Sequence, residues 1–478
     1  MERHGIYVTE IQPQTLTPVS QIATIPVVIG TAPVSLSRNS TYPVNVPLLI
    51  ESWEQFVRSF GSSDDWNSYT LCEFAYSHFR LYRQSPAVFI NVLDPATHKK
   101  AVSSKTVTFS AGRAVIEDEG IILSSVKVQS TGGSGTEYVL DTDYALTFNE
   151  VGKAVISVMS GGAITPSDSV SVEYDVLDPS VVAAVDIIGG TDSNGVATGL
   201  ELIKKVFPLL RVIPGLILAP GFSHDPTVAA VMTAKSAKIN GHFNAMAITD
   251  VPANLRYTEI GEWKEQNQYT SKNQVVSWPK VTKSGRTFRY STQLAGVICQ
   301  LDKESDGVPY RSPSNKTLQI DGVVAEDGKP VALGPDDAEV INSEGIVTAI
   351  NFIGGFKAWG NRTGAYPELI DPQNAFIPVR RMFDWWNNTI ILTQWAYVDE
   401  PANKRLVEAV VDSLNIRLNG LMASGYILGG RVEFNKEDNP PDQVANGKLK
   451  FRTYITPPSP AQEMEYTVEY DASYLGSI

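Results

Sequence analysis

One recurring unit constrains this chain more than any other feature. A short apolar run stops at glycine or proline, and a helix-like stretch follows. Val27-Val28-Ile29-Gly30 is such a run, Ala87 to Val92 is another, and Gly215-Leu216-Ile217-Leu218-Ala219 ahead of Pro220-Gly221 is a third. Phe243 to Ile248 and Val275 to Trp278 continue the series. Between the runs, Pro47-Leu48-Leu49-Ile50 leads into a helix around Trp53 to Phe60. A second helix carries Phe74, Tyr76, Phe79 and Tyr82. Asp225-Pro226 opens another, with Asp as N-cap and proline at the first helical position. Strands apolar along their whole length have no wet face, so helices must cover both sides of a largely parallel sheet. The expected class is α/β, made multidomain (α+β) by what interrupts it.

The interruption spans 99–182. Alternating runs recur at Thr106–Phe109, Val126–Val128, Tyr138–Leu140, Ala154–Val158 and Val170–Tyr174, with turn residues such as Thr131 to Gly135 and Ser160 to Gly162 between them. No helical period appears, which predicts an inserted, sandwich-like all-β domain. The core resumes near Val185. Later, Glu400-Pro401 is expected to start a helix in which Leu406, Val410, Leu414 and Leu418 recur every four residues, stopped by Gly425.

Charge narrows the function. The 478 residues hold 39 Lys and Arg against 52 Asp and Glu, a net −13. A phosphate-backbone binder needs clustered cations, so nucleic acid is not an expected partner. Within 106–180 stand only Arg113, Lys127 and Lys153 against eleven acidic residues, so this stretch alone carries −8. No apolar window is long enough to span a bilayer, and no basic-then-apolar opening suggests export. Cys72 and Cys299 sit in apolar contexts and read as buried small hydrophobes, which leaves open whether they pair.

Sites for chemistry are sparse. His4, His78, His98, His224 and His242 lack metal-ligand spacing, so no metal is expected. Asp302 to Gly307 opens like a calcium loop, but Pro313 stands where its bidentate Glu belongs, so it reads as a polar turn. Gly189 to Gly195 precedes a helix at Leu200 to Phe207 but lacks phosphate-binding glycine order and a Walker lysine. His224 next to Asp225 is half of a triad at best, and Asp225 is better used as a cap. No catalytic residue and no cofactor are expected.

The two ends carry the most information. Gly5 to Ile11 reads as a short strand, with Ile6, Val8 and Ile11 its apolar residues, and Pro13 and Pro18 follow. At the other end come Pro457, Pro458 and Pro460, then Met464, Tyr466, Val468 and Tyr470 alternating with Glu465, Thr467 and Glu469. That is the period of a half-buried strand on a stiff tether. Ordering about six residues costs roughly 6–12 kcal/mol, while burial returns roughly 1.5–3 kcal/mol per apolar side chain. Each end is near break-even unless it joins a sheet. Whether that sheet is its own or a neighbour's stays open on this ground.

Six stretches, in order, resemble the tail sheath proteins of contractile bacteriophages and related contractile injection particles. They are Gly5 to Ile11; Asp186-Ile187-Ile188-Gly189-Gly190-Thr191 through Gly199-Leu200; Ala295-Gly296-Val297 to Asp302 with Gly307-Val308 and Ser312-Pro313-Ser314-Asn315; Gly355 to Thr363, including Trp359, Gly360, Arg362 and Thr363; Val379-Arg380-Arg381-Met382; and Gly447-Lys448-Leu449 with Pro457 to Glu463. Pro309-Tyr310 and Gln462 depart from the family pattern.

The resemblance implies a subtilisin-like but non-proteolytic core and subunits stacked as six-fold rings around a tail tube. It implies terminal arms exchanged with neighbours, and contraction that drives the tube through an envelope. The implied partners are further copies, the tail tube protein, baseplate and tail terminator proteins, with no membrane insertion. The implied location is the virion tail, after assembly in the host cytoplasm. The implied division is an N-terminal arm (1–20), a first core part (21–98), the insertion (99–182), the main core (183–352), a C-terminal sheath domain (353–455) and a C-terminal arm (456–478). Lys404, Arg405 and Arg417 are candidates to face an acidic tube. Trp359 is expected in the core, with Arg362 paired to a buried carboxylate. Alternatives are the sheath of a headless particle or secretion system, a nucleotide-binding α/β enzyme and a surface adhesin.

Overall fold

Val27, Val28 and Ile29 are fully buried, because their strand lies inside the largest sheet of the molecule. The computed structural model describes residues 24–39, 41–131 and 135–477. Its strands begin with β1 (Pro26–Gly30), β2 (Leu48–Ile50) and β3 (Ala87–Asn91). A block follows: β4 (Lys99–Thr108), β5 (Arg113–Ile116), β6 (Lys127–Ser130), β7 (Tyr144–Phe148), β8 (Ala154–Val158) and β9 (Ser169–Leu177). The core returns with β10 (Leu216–Leu218), β11 (Met246–Asp250) and β12 (Gln274–Ser277). Then come β13 (Lys280–Lys283), β14 (Arg286–Arg289), β15 (Gly322–Val324), β16 (Ile346–Asn351) and β17 (Phe356–Trp359). The last are β18 (Gly429–Glu433) and β19 (Arg452–Thr456).

Eight strands form the core sheet in the order β17-β16-β12-β11-β10-β1-β3-β2. The six inner strands run parallel, with Val27 opposite Ile217 on one side and Val88 on the other. The short edge strands β2 and β17 are antiparallel. The sequence places a strand at Phe243 to Ile248; the ladder instead starts at Met246, after Phe243 and Ile239 pair in a tight turn. Helices flank the sheet, including Pro226–Ser236, capped as expected by the Asp225 carboxylate on the Thr227 N–H (2.8 Å). Cys72 and Cys299 are both free and buried. Burial pushes the Cys72 thiol up to about 12, so it stays a protonated hydrophobe.

The β4–β9 block folds on itself. Two antiparallel three-stranded sheets, β4-β9-β6 and β5-β8-β7, enclose Ile116, Val128, Ile156, Val170 and Val172 in a cluster separate from the main core. Its ends meet where the Asp178 N–H donates to the His98 carbonyl (2.9 Å). Tyr138–Leu140, expected as a strand, forms no ladder. The Asp143 carboxylate takes the N–H groups of Val139 and Ala163 (2.8 Å each) and bends that stretch into a turn.

The last third packs two long helices, Ile377–Gln394 and Lys404–Ala423, against β18–β19 around Met382, Trp386, Leu414 and Leu418. The second helix starts at Lys404 rather than at Glu400-Pro401. Asn403 is the better cap, its side chain accepting the Leu406 N–H (3.0 Å).

Candidate assembly surfaces

An α/β sheet offers its chemistry at the carboxyl ends of its strands. Here Asp250 ends β11, beside a cavity of about 230 Å³ that His224, Lys280, Arg289 and Glu326 also line. Its carboxylate is 8% exposed and fully engaged. Oδ1 accepts from Ser277 Oγ (3.0 Å) and the Ser291 N–H (2.9 Å), and Oδ2 from Ser223 Oγ (3.1 Å) and Ser291 Oγ (2.6 Å). Four donors occupy the lone-pair positions a substrate or proton would need, so Asp250 ties strand ends to the Tyr290–Lys303 helix. Arg289 is likewise held, by Glu73 (2.6 Å) and the Trp66 carbonyl (2.9 Å). Among the described residues no group of three metal-binding side chains gathers. No described helix is long and apolar enough to cross a membrane.

The surfaces that stand unfinished lie at the C-terminal end. After β19 the chain runs out through Pro457, Pro458 and Pro460. Among the described residues, 457 to 471 join no helix or ladder. Met464 is 70% exposed, Tyr466 80%, Val468 92% and Tyr470 80%. Both faces of the alternating stretch are therefore in solvent. Ile6, Val8 and Ile11 lie outside the described residues.

The root of this arm is tied to the Trp359–Thr363 motif. β17 ends at Trp359, which is half-buried and not a core residue; the inward position on that strand belongs to Ala358. Gly360 has φ 126°, and a Cβ there would stand 2.5 Å from Asn342 Oδ1 and 3.1 Å from the Val347 backbone. Thr363 is buried and donates from Oγ1 to the Asn374 carbonyl (2.6 Å). Among the described residues Arg362 meets no buried carboxylate. Its guanidinium lies 3.9 Å from the Phe376 ring centre and 4.5 Å from that of Tyr366, and Nη2 donates to Gln462 Oε1 (2.9 Å). Burial pulls its pKa below the usual guanidinium range.

The buried carboxylate belongs to the next arginine motif. Asp302, expected in a polar turn, lies inside the Tyr290–Lys303 helix at 1% exposure and receives both Arg381 Nη atoms (3.1 and 2.5 Å). Asp384 similarly takes Arg380 one turn earlier (2.8 Å). The Arg381–Asp302 pair and the bonds between the Asn388 carboxamide and the Asn244 backbone (2.9 and 2.7 Å) fasten the Ile377–Gln394 helix to the core, while Arg380–Asp384 closes within the helix itself. The stretch from Ala295 to Asp302 and the Arg380-Arg381 pair carry the signal, but sequence alone does not connect them.

Lys404 and Arg405 stand exposed in the first turn of their helix, Lys404 loosely paired with Glu408 (3.4 Å). Arg417 differs. It is half-buried, its guanidinium 5.6 Å from the Trp385 ring centre, and burial lowers its pKa. It packs within its own chain.

Beside them, β18 and β19 make a free-standing two-stranded antiparallel sheet, Gly430 opposite Ile455 and Val432 opposite Thr453. Val432 is buried against the helix, while Arg452, Tyr454 and Thr456 face out. Arg431 covers Tyr454 at 4.0 Å.

No family model matches the chain. It is 28% identical over 409 residues to the tail sheath protein of Burkholderia phage BcepMu, covering 82% of this chain and 83% of that one. It is 24% identical over 295 residues to the tail sheath protein of Escherichia phage P2, covering 61% and 72%. The chain is a homologue of phage tail sheath proteins. The fold agrees with contractile sheaths at low identity. The sheath of the extracellular contractile injection system PVC, in its contracted state, superposes with TM-score 0.60 at 14% identity over 99% of both chains. The contracted helical sheath of the anti-feeding prophage gives 0.58 at 17%, over 98% of this chain and all of that one.

Proposed function

We propose that this chain is the structural subunit of a contractile tail sheath, and that its unfinished end is completed by neighbouring copies. The observation that carries the reading is the alternating stretch Met464–Tyr470, which leaves its apolar residues in solvent beyond a proline tether. A monomer gains nothing from such an arm. A polymer gains a ladder of hydrogen bonds that persists while subunits slide and rotate.

In this reading the core is a subtilisin-like scaffold without catalysis. Rings of six copies stack around a tail tube between baseplate and terminator, and contraction drives the tube through a host envelope. Assembly precedes this in the host cytoplasm. The divisions 1–20, 21–98, 99–182, 183–352, 353–455 and 456–478 follow as arm, core, insertion, core, C-terminal domain and arm. The insertion, with −8 over 106–180, belongs on the outside, where copies repel least. Lys404 and Arg405 remain the cations for an acidic tube; Arg417 serves better as packing for Trp385.

Negative-stain microscopy of the purified protein tests this. Striated tubes are expected from the full chain. Removal of 1–12 or 462–478 is expected to leave a folded monomer by circular dichroism and sedimentation. Normal tubes from both truncations would falsify the exchange of arms.

A further inference from the structure

Two surface features stand at opposite ends of the core sheet, and each lacks what the other supplies. The first is the hairpin tip Phe352-Ile353-Gly354-Gly355 between β16 and β17. Gly354 and Gly355 take φ 74° and 87°, the left-handed region that closes such a turn. Phe352 is 63% exposed and its neighbour Ile353 76%. Two adjacent large apolar side chains on one projecting turn exceed the scattered exposure of a finished surface. Lys357 leans back toward the tip, where a Cβ on Gly354 would stand 3.9 Å from its Nζ. Its ammonium rests on Thr317 Oγ1 (2.7 Å), a neutral acceptor. The tip therefore presents an apolar pair beside a cation.

The second feature is an open pocket of about 500 Å³ just past the end of β3, a ligand-sized volume. Asp94, Asp186 and Asp192 line it, together with the exposed side chains of Val185 and Val196. Each carboxylate gives one oxygen to local N–H groups: Asp94 to Ala96 (2.8 Å), Asp186 to Ala183 (2.8 Å), and Asp192 to Asn194 and Val196 (2.9 and 2.8 Å). The second oxygens of Asp94 and Asp192 meet no hydrogen-bond donor among the described residues. Gly189 and Gly190 form part of the same wall. Three carboxylates repel a phosphate, so the pocket suits a cation flanked by apolar groups.

The strands from β16 to β3 run parallel, so tip and pocket lie at the same, carboxyl end of the sheet. Five strand spacings, about 24 Å, separate β16 from β3. A chain cannot seat its own tip. A second copy can, and a head-to-tail contact of this kind, repeated, builds a ring or a helix. We propose that the Phe352–Ile353 tip of one copy seats in the Asp94–Asp186–Asp192 pocket of the next, its apolar pair against Val185 and Val196 and Lys357 among the carboxylates. The inference rests on the sheath reading above and adds a body-to-body contact that needs neither terminal arm.

Cysteine pairs in full-length tubes test it, Cys72 and Cys299 being buried. Phe352→Cys and Ile353→Cys are each combined with Val185→Cys and with Val196→Cys. Mild oxidation is expected to link copies into a ladder on a denaturing gel through at least one pair. Pairs in which Leu209→Cys replaces the valine change stay unlinked, since Leu209 is exposed but outside the pocket. Charge gives a second readout. Lys357→Glu is expected to raise the protein concentration needed for tubes about tenfold. Adding Asp192→Lys, or Asp186→Lys if that chain does not fold, is expected to restore assembly. Tubes that link through no pair, or equally through Leu209→Cys, overturn the inference while leaving the sheath reading standing. So does a Lys357→Glu chain that assembles normally, or one that neither reversal repairs. A parent chain that forms no tubes overturns both.

Discussion

Arg362 reaches across 100 positions of sequence to Gln462, donating from Nη2 to Oε1 at 2.9 Å. This is a side-chain tie between the body and the root of the arm, and its acceptor is neutral. A neutral acceptor gives a weaker bond than a carboxylate. Gln462→Ala is expected to speed protease cleavage within 457–471 of the isolated protomer while changing global stability by less than about 1 kcal/mol. Gln462→Glu is expected to slow it. Equal cleavage in all three proteins would remove the tie.

The Arg381–Asp302 pair is of another kind, since both side chains are at most 5% exposed. Removing one partner strands the other charge in a dry site. Asp302→Ala is expected to cost about 3–5 kcal/mol in denaturant unfolding. Asp302→Leu with Arg381→Met is expected to recover much of that loss. A single variant within about 1 kcal/mol of the parent would show that water reaches the pair.

The parallel core was legible because its strands are buried on both faces and so read as unbroken apolar runs. The helix Ile377–Gln394 was not. Its buried face includes Arg380, Arg381, Asp384 and Asn388, and polar residues satisfied by tertiary partners hide the helical period. The alternation of Met464, Tyr466, Val468 and Tyr470 predicted a half-buried strand, but among the described residues no strand forms there and these side chains stand exposed. Arg362 was misread for the converse reason: an arginine beside Trp359 suggests a carboxylate partner, and only the fold reveals two aromatic rings beneath it.

The ends of the β4–β9 block touch, Asp178 N–H to His98 carbonyl, and its apolar cluster is its own. Replacing 99–177 with a short Gly-Ser linker is therefore expected to leave the core folded, by thermal melting. If the block faces outward, the shortened chain still forms tubes, and cryo-microscopy finds them thinner with an unchanged bore. Loss of polymerisation from a stably folded shortened chain would place the block between subunits.

Lys264 supplies a pH test of the fold. It is 1% exposed, and its Nζ donates to the Tyr366 carbonyl (2.8 Å). Burial pulls its pKa down to about 8 from 10.5, outweighing the pull of Glu344, Glu265 and Glu368 in the other direction. The unfolded chain holds this proton up to about 10.5, so between about pH 8 and 10.5 it binds more protons than the native state. Stability from this group must then rise with pH across that window, and below pH 8 the native state carries the full cost of a buried cation. That cost is on the order of 3 kcal/mol. Lys264→Met removes the titration. Denaturant unfolding at pH 7.5 and 9.5 is expected to show a gain for the parent relative to the variant at the higher pH, whatever the other titrating groups add to both. Parallel behaviour of the two proteins would mean that Lys264 keeps its ordinary pKa, and that the Tyr366 carbonyl and the nearby carboxylates fully offset its burial.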